Sequence, residues 1–286
     1  MSKNFLNITK EFSDVNNSKY AVISVPFDKT STYQKGADKG PKAIIDASAY
    51  LELYDIETDS YAYKNGIYTD NSKIDLSTPE KMILSVEKKV TEYLNKNMFP
   101  VTLGGEHSIA VGAAIAISKK YKDITFLQFD AHSDLRDEYH GSKYNHACAM
   151  ARIKEHGPIV QVGIRSMDSS ELPNMDKKRV FFAHEINDNA KLIKRVISLL
   201  TKNVYITFDL DGFDPSILPS TGTPEPGGLY WHPVIKLIEE ICKKRNLVGF
   251  DVNELCPFEN KASDFTAAKL VYKIISYHSY YNVYKK

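Results

Sequence analysis

The segment Ile124-Thr-Phe-Leu-Gln-Phe-Asp-Ala-His-Ser-Asp134 joins a mostly apolar run to a cluster of polar side chains. Residues 124–129 lack the alternation of a strand with one wet face, so they predict a strand that is covered on both faces. Such strands occur in parallel sheets, whose crossover helices cover each face. The segment therefore indicates an α/β fold with polar groups at the end of a buried strand.

Similar runs recur along the chain and alternate with segments of helical spacing. The other candidate strands are Tyr20–Val25, Pro100–Leu103, Ile159–Gly163, Val180–Ala183, Val204–Phe208 and Leu247–Val252. Helical patterns accompany Pro79 and Pro233, where proline suits the first turn of a helix. Because no Ser/Gly linker, low-complexity tract or internal repeat divides the chain, we expect residues 1–286 to form a single domain.

Composition and charge exclude several classes of protein. The 286 residues include 37 Lys plus Arg and 36 Asp plus Glu, a net charge of +1 that argues against a nucleic-acid-binding protein. The longest apolar stretch, Ile109–Ile117, is far shorter than the ~20 residues that a membrane span requires. We do not expect the first residues to act as a signal peptide, and Cys148, Cys242 and Cys256 provide no disulfide framework, so a cytoplasmic location is expected.

Three candidate strands are followed directly by residues that can carry chemistry. The motifs are Gly104-Gly-Glu-His-Ser108, Asp130-Ala-His-Ser-Asp134 and Asp209-Leu-Asp-Gly-Phe-Asp-Pro215. In parallel sheets, ligands bind beyond the carboxyl ends of the strands, so these motifs are candidates for a site. Two irregular stretches, residues 55–75 and 209–230, are candidates as well, because long loops in compact domains are commonly functional.

The spacing of the acidic residues predicts a metal site. Asp130, His132 and Asp134 occupy alternate positions, so their side chains face the same way in an extended chain, and Asp209 and Asp211 repeat that spacing. Carboxylates that share a small volume raise one another's pKa or recruit cations. Imidazole and carboxylate ligands without thiolate favour manganese over structural zinc. The four Asp at this alternate spacing, together with two His, suit two ions about 3.5–4 Å apart.

Each motif also has a purely structural interpretation. A Gly-Gly turn before a helix could provide an N-cap or an anion-binding helix start, and a single histidine such as His107 more often packs or caps. The run from Asp130 to Asp134 could be a polar turn, and the run from Asp209 to Asp214 an Asp-rich turn before Pro215. The occurrence of all three motifs at three strand ends argues against coincidence.

Together the three motifs resemble the signature of the ureohydrolase superfamily, which includes arginase and agmatinase. The resemblance begins at Pro26-Phe-Asp28 and runs to Asp251-Val-Asn-Glu254. It implies a three-layer α/β/α domain around a mainly parallel sheet of about eight strands, the eighth expected near Tyr61–Tyr68. It also implies two Mn²⁺ ions per subunit. One ion would be held by His107, Asp130, Asp134 and Asp209, and the other by Asp130, His132, Asp209 and Asp211.

The resemblance implies roles for two further residues. His146 matches the family's proton-shuttling histidine, and Glu254 matches the carboxylate that pairs with the substrate guanidinium. By themselves, His146 would be interpreted as a residue at the start of a helix and Glu254 as a surface carboxylate. The other histidines match no metal motif: His140, His156, His184, His232 and His278.

Among the substrates of the family, the sequence favours agmatine, cleaved to putrescine and urea in polyamine biosynthesis. Thr221-Gly-Thr-Pro-Glu-Pro-Gly-Gly228 resembles agmatinases more than arginases. If Arg136 pointed into the site, it would favour guanidinobutyrate or another acid. Guanidinobutyrase, arginase and formimidoylglutamase activities stay open, as does a catalytically silent oligomeric binding protein. The family also implies a homo-oligomer, a trimer or hexamer.

Overall fold

A parallel sheet of eight strands forms the centre of the computed structural model, which describes residues 4–186 and 188–284. In chain order the strands are β1 (Tyr20–Val25), β2 (Ile67–Asp70), β3 (Phe99–Gly104), β4 (Ile124–Phe129), β5 (Ile159–Ile164), β6 (Val180–Phe182), β7 (Asn203–Asp209) and β8 (Asn246–Asn253). They lie in the order β2-β1-β3-β8-β7-β4-β5-β6, and each neighbouring pair is parallel. The expected α/β fold is therefore confirmed.

Helices cover both faces of the sheet and complete three layers. They are α1 (Lys10–Ser13), α2 (Gly40–Ser48), α3 (Pro79–Asn95), α4 (Ala110–Lys120), α5 (Ala149–Ile153), α6 (Asn189–Leu199), α7 (Trp231–Lys244) and α8 (Ala262–His278). Helices α3, α4 and α5 pack on one face with Ala21 and Ile23 of β1. Helices α2, α6, α7 and α8 pack on the other with Tyr20 and Val22. Successive β1 side chains thus enter opposite cores, which explains why the run is apolar throughout.

Two of the seven predicted strand segments, Tyr20–Val25 and Ile124–Phe129, match the observed strands at both ends, and the other five differ by one residue at one or both ends. The eighth strand overlaps only the end of the stretch near Tyr61–Tyr68 where it was expected. The structure has a 3₁₀ turn at Ala62–Asn65, and β2 begins only at Ile67. Gly66 turns the chain between them with φ at 77°, and a Cβ there would lie 2.6 Å from the Asn17 carbonyl oxygen. Tyr61 and Tyr63 therefore precede the strand, and only Tyr68 belongs to it.

The four central strands are the ones that matter for the site. Strands β3, β8, β7 and β4 are consecutive neighbours, and because they are parallel their carboxyl ends meet at one edge of the sheet. Strand β4 is buried along its whole length, and Phe129 at its end stacks on Phe208 of β7 with ring centroids 4.9 Å apart. Burial contributes roughly 1.5–3 kcal/mol for each large apolar side chain. This packing anchors the ends of β4 and β7. Asp130 directly follows β4, and Asp209 is the last residue of β7.

Neither the helices nor the cysteines point to a membrane or a disulfide. Across residues 4–186 and 188–284, the structure contains no helix that is both long enough and apolar enough to span a bilayer. Cys148, Cys242 and Cys256 are free and buried, as expected for small apolar side chains.

The irregular stretch at residues 55–75 is tied to helix α8 by a buried ion pair. The Lys273 ammonium lies 2.7 Å from Asp55 Oδ2 and 3.1 Å from Glu57 Oε1. Lys273 and Asp55 are only 4% and 2% exposed. Burial would raise the pKa of Asp55, but the Lys273 ammonium holds it below its ordinary value. The start of this loop therefore has a structural role.

Replacing Lys273 by methionine should lower the free energy of unfolding by about 3 kcal/mol at pH 7, because Asp55 would be left buried and unpaired. The lowered pKa of Asp55 means that the pair stabilises the fold above the unfolded pKa of 3.8. The difference in unfolding free energy between the wild type and Lys273→Met should therefore shrink as the pH falls below 3.8. Urea unfolding would measure it, with Lys269→Met on the same helix as control. A loss equal to that of the control would contradict the prediction.

Candidate metal centre

His107 lies at the centre of a buried group of carboxylates. It follows β3 as the first residue of a short 3₁₀ turn before α4. Its Nδ1 lies 2.9 Å from Asp134 Oδ2, 3.1 Å from Asp130 Oδ2 and 3.5 Å from Asp209 Oδ2. All four residues are buried. The structure thus brings together the residues that the resemblance implies for one ion.

His132 is the centre of a second group. Its Nδ1 lies 3.0 Å from Asp211 Oδ2 and 3.7 Å from Asp130 Oδ1. Asp130 therefore presents one carboxylate oxygen to each histidine, which is the placement expected of a bridging ligand. Asp209 faces the first group through Oδ2, while its Oδ1 accepts the backbone N–H of Asp211 at 2.9 Å. Its bridging role stays a prediction.

The hydrogen bonds of His107 show why a cation fits this position. Its Nε2 lies 2.8 Å from Thr207 Oγ1, and that hydroxyl donates to Asp251 Oδ1 at 2.7 Å. Since Thr207 gives its hydrogen to Asp251, it accepts one from Nε2 of His107. Nδ1 of His107 then has a lone pair that faces the lone pairs of carboxylate oxygens. Two such acceptors repel each other unless a positive charge lies between them. The donors are imidazole nitrogens and carboxylate oxygens, which suit a divalent ion.

Burial and crowding shift the pKa values of the cluster strongly. Burial and the neighbouring Asp130 carboxylate raise the pKa of Asp134 to about 7. Burial and Asp211 raise the pKa of Asp209 well above its usual range. Burial opposes the protonation of His107, but the carboxylates of Asp130 and Asp134 raise its pKa well above 6.5. The cluster by itself therefore retains protons, and a divalent ion would bind in competition with them.

Asp134 and Glu254 have unusual backbone conformations. Their φ angles are +52° and +66°, in the left-handed region that residues other than glycine rarely adopt. Each such residue costs about 1–3 kcal/mol and persists where the surrounding structure holds it. Both residues line the cavity, so these two unusual conformations coincide with the candidate site.

A cavity of about 290 Å³ opens onto both groups. It brings together seven of the eight predicted site residues: His107, His132, Asp134, His146, Asp209, Asp211 and Glu254. The eighth, Asp130, is fully buried beneath them. The metal motifs and the two further predicted residues therefore share one cavity.

Glu254 and His146 are not the ordinary residues that their local sequence suggests. Glu254 is only 7% exposed, and its Oε1 accepts the backbone N–H of His107 at 2.6 Å. Burial and Glu106 raise its pKa well above 4.5. His146 begins a short 3₁₀ helix, His146–Cys148. The side chain of Asn145 caps that helix, so His146 is not needed as the cap. Burial is the main cause that lowers the pKa of His146 to about 4, so the ring is neutral at pH 7.

Arg136 lines the cavity, but its charge is already paired. Its guanidinium lies 3.6 Å from Asp168 Oδ2 and 3.7 Å from Glu171 Oε1, and it stacks over the Tyr139 ring at 4.6 Å. Asp168 and Glu171 form a capping box on the 3₁₀ helix at residues 169–174. They were not predicted as site residues, although the Asp-x-x-Glu spacing is a sequence signal for the capping box.

Arg165 fastens the loop at residues 209–230 beneath the site, and sequence reasoning missed it. Its guanidinium donates to backbone carbonyl oxygens at 2.6–3.2 Å, those of Gly163, Asp211, Gly212, Phe213 and Glu225. The Glu225 carboxylate then lies 4.0 Å from Nε2 of His132. Because all acceptors are backbone atoms, no pattern of residue types reveals these contacts.

Comparisons with known proteins agree with this geometry. A family model described as the arginase family matches residues 18–276. The N(1)-aminopropylagmatine ureohydrolase of Synechocystis sp. is 37% identical over 268 residues, covering 90% of this chain and 88% of that protein. The agmatinase of Pyrococcus horikoshii is 34% identical, covering 92% and 93%. The crystal structure of the agmatine ureohydrolase of Thermoplasma volcanium matches with a TM-score of 0.88 and 34% identity over 99% of this chain and 96% of that one.

The fold, the acidic cavity and these similarities define a class of protein, the ureohydrolases, so the chain is a hydrolase. Within that class, the chain belongs to the arginase family. The resemblance inferred from the three motifs is therefore confirmed. The family is metal-dependent, and the buried His and Asp groups could hold a metal ion.

Replacing Arg165 by lysine should weaken binding of manganese about 10-fold, as loss of outer hydrogen bonds does in other metal sites. Lysine cannot reach five carbonyl groups with one ammonium, so the loop that carries Asp211 would loosen. Titration of metal-free protein with Mn²⁺, followed by electron paramagnetic resonance of the free ion, would measure the change. The exposed Arg195→Lys provides the control. Equal affinities in the two variants would contradict this role of Arg165.

Proposed function

We propose that this protein is a binuclear manganese hydrolase that cleaves the guanidinium group of agmatine to putrescine and urea. The observation that carries the proposal is the convergence of His146 and Glu254 on the cavity that exposes the His107 and His132 groups. A metal-binding cluster alone would be compatible with a binding protein. A buried carboxylate and a neutral imidazole beside the cluster are the groups that guanidinium hydrolysis requires in addition.

The proposed ligands follow from the two groups. One ion would be held by His107, Asp130, Asp134 and Asp209, and the other by Asp130, His132, Asp209 and Asp211. When bound, two such ions would lower the pKa of a shared water and so provide a nucleophile at neutral pH. Four aspartates in this volume carry −4 when ionised, which two divalent ions balance.

Glu254 is proposed to bind and orient the guanidinium. One of its oxygens accepts the His107 N–H, so the side chain is held in place before substrate arrives. Glu254 also lines the cavity, where its carboxylate would meet the substrate. A carboxylate matches the parallel N–H groups of a guanidinium, so it fixes both the charge and the plane of the substrate.

His146 is proposed to carry the proton that the leaving amine needs. An amine leaves a tetrahedral carbon readily only after protonation, and a general acid–base residue contributes about 10²–10⁴-fold to the rate. Burial keeps His146 neutral at pH 7, so one of its ring nitrogens has a free lone pair that can take up a proton.

The charges around Arg136 favour an amine at the other end of the substrate. Its guanidinium lies beside the carboxylates of Asp168 and Glu171, which offset its attraction for a substrate carboxylate. With one cation and two anions, this part of the cavity carries a net −1. Agmatine ends in an ammonium group, whereas guanidinobutyrate ends in a carboxylate. The structure around Arg136 thus supports agmatine over the acid.

A second candidate substrate is N(1)-aminopropylagmatine. It has the same guanidinium with a longer tail that carries additional amine nitrogen, and the Synechocystis relative is named for its hydrolysis. The acidic pair of Asp168 and Glu171 suits either tail. We further propose, from family membership, that the chain forms one domain and assembles as a cytoplasmic trimer or hexamer in polyamine biosynthesis.

The manganese-loaded protein should release urea from agmatine or N(1)-aminopropylagmatine with kcat/KM at least about 10-fold above that for arginine or guanidinobutyrate. Asp168→Asn should raise KM for both amines by removing a negative charge from this part of the cavity. Steady-state urea assays would measure both effects, with formamide release for formimidoylglutamate. Preference for arginine or an acid would contradict the substrate proposal. A protein that binds two ions but hydrolyses none of these compounds would instead be a silent binding protein.

Replacing His146 by asparagine should lower kcat about 10²–10⁴-fold while both metal ions remain bound, because His146 is outside the proposed ligand set. Metal content by plasma mass spectrometry and urea release should be measured on the same sample. Unchanged turnover would remove His146 from the mechanism. Loss of metal together with activity would show that its role is structural.

A further inference from the structure

Glu106 is a buried carboxylate in the first motif, and neither the sequence analysis nor the proposed mechanism uses it. It is fully buried. Its oxygens accept four hydrogen bonds, from the Thr30 N–H at 2.6 Å, the Thr30 hydroxyl at 2.6 Å, the Ser31 N–H at 3.2 Å and the Ser108 hydroxyl at 2.7 Å. In each of these contacts the carboxylate is the acceptor, of two hydroxyl groups and two backbone N–H groups.

The Thr30 hydroxyl links Glu106 to His146. Its hydrogen is donated to Glu106, so the oxygen has only its two lone pairs left for other partners. One lone pair accepts the backbone N–H of His146 at 3.0 Å. The other faces Nδ1 of the His146 ring at 3.3 Å. With the hydroxyl hydrogen already used, this contact is a hydrogen bond only if Nδ1 carries a hydrogen.

We propose that Glu106 and Thr30 are positioning residues that hold His146 in the tautomer with hydrogen on Nδ1. The opposite ring nitrogen, Nε2, then keeps a free lone pair for taking up a proton. This inference rests on the proposed function, because it concerns the histidine that would protonate the leaving amine. It deepens that function by assigning the residues that prepare the ring for it.

His107 has the same arrangement of carboxylate, threonine hydroxyl and imidazole, but through the opposite ring nitrogen. There the Asp251 carboxylate takes the hydroxyl hydrogen of Thr207, and the hydroxyl accepts from Nε2, which leaves Nδ1 free to face the carboxylates. At His146 the threonine meets Nδ1 instead. In each case a carboxylate sets the direction of a threonine hydroxyl, and the hydroxyl selects which ring nitrogen is free.

Thr30 acts through His146 and not on the substrate. The described residues that line the cavity include its neighbours Ser31 and Thr32 but not Thr30 itself. Thr30→Val would keep the size and branching of the side chain and its backbone bond to Glu106, and would remove only the hydroxyl. Thr30→Ser would keep the hydroxyl and remove the methyl group, so it is the matched control.

Neutron diffraction from deuterium-exchanged crystals of the manganese-loaded protein would locate the hydrogen directly. We expect deuterium on Nδ1 of His146 in the wild type and in Thr30→Ser, and on Nε2, or divided between the nitrogens, in Thr30→Val. In urea assays, Thr30→Val should lower kcat about 10²-fold with KM changed less than about twofold, and Thr30→Ser should retain most of the rate.

Deuterium on Nε2 of the wild-type ring would overturn the proposal, as would a Thr30→Val ring that keeps deuterium on Nδ1. An equal loss of kcat in Thr30→Ser would also count against it, since that variant keeps the hydroxyl. If Thr30→Val fails to fold, the wild-type neutron map and the Thr30→Ser kinetics still decide. A wild type that hydrolyses no guanidino compound would refute the proposed function, whereas the position of the deuterium would still test the tautomer.

Discussion

Negative charge buried at one edge of the sheet is the constraint on which the rest of the structure depends. Two unit charges 4 Å apart repel by about 4 kcal/mol at an effective dielectric constant of 20, and four aspartates share this edge. Hydrogen-bond donors that lie beneath the carboxylates stabilise part of this charge. Gln128 donates to Asp130 Oδ2 at 2.6 Å, and Gln161 on the next strand donates to Gln128 at 2.5 Å. These polar residues lie inside strands that are otherwise apolar because the charge above them needs support.

The support is directional as well as electrostatic. Below the cavity the hydrogen bonds run toward carboxylates: Gln161 donates to Gln128, Gln128 donates to Asp130, and Thr207 donates to Asp251. Such a network is worth more to function than to stability, because a buried ion pair or polar chain often adds little net stability over apolar packing. Its value is that it determines the orientation and hydrogen placement of the groups above it.

Most of the fold and the site's membership could be predicted, and the failures have physical causes. Strands such as β4 were predicted because both of their faces are buried, which leaves an apolar run in the sequence. The motif residues were predicted because strand ends place side chains at fixed spacing. Strand β2 was misplaced because only the backbone turn at Gly66 separates it from the preceding tyrosines. Arg165 and Thr30 were missed because their partners are backbone atoms or residues up to 116 positions away.

The left-handed conformations of Asp134 and Glu254 set a limit on how this protein can be improved. Glycine or asparagine would adopt those angles with less strain, so both positions are places where the sequence is less stable than it could be. A directed-evolution experiment that selects for thermostability alone would favour removal of the two carboxylates. Selection for heat resistance would thus have to be combined with selection for turnover. At these two positions stability favours residues with less backbone strain, whereas activity requires the carboxylates.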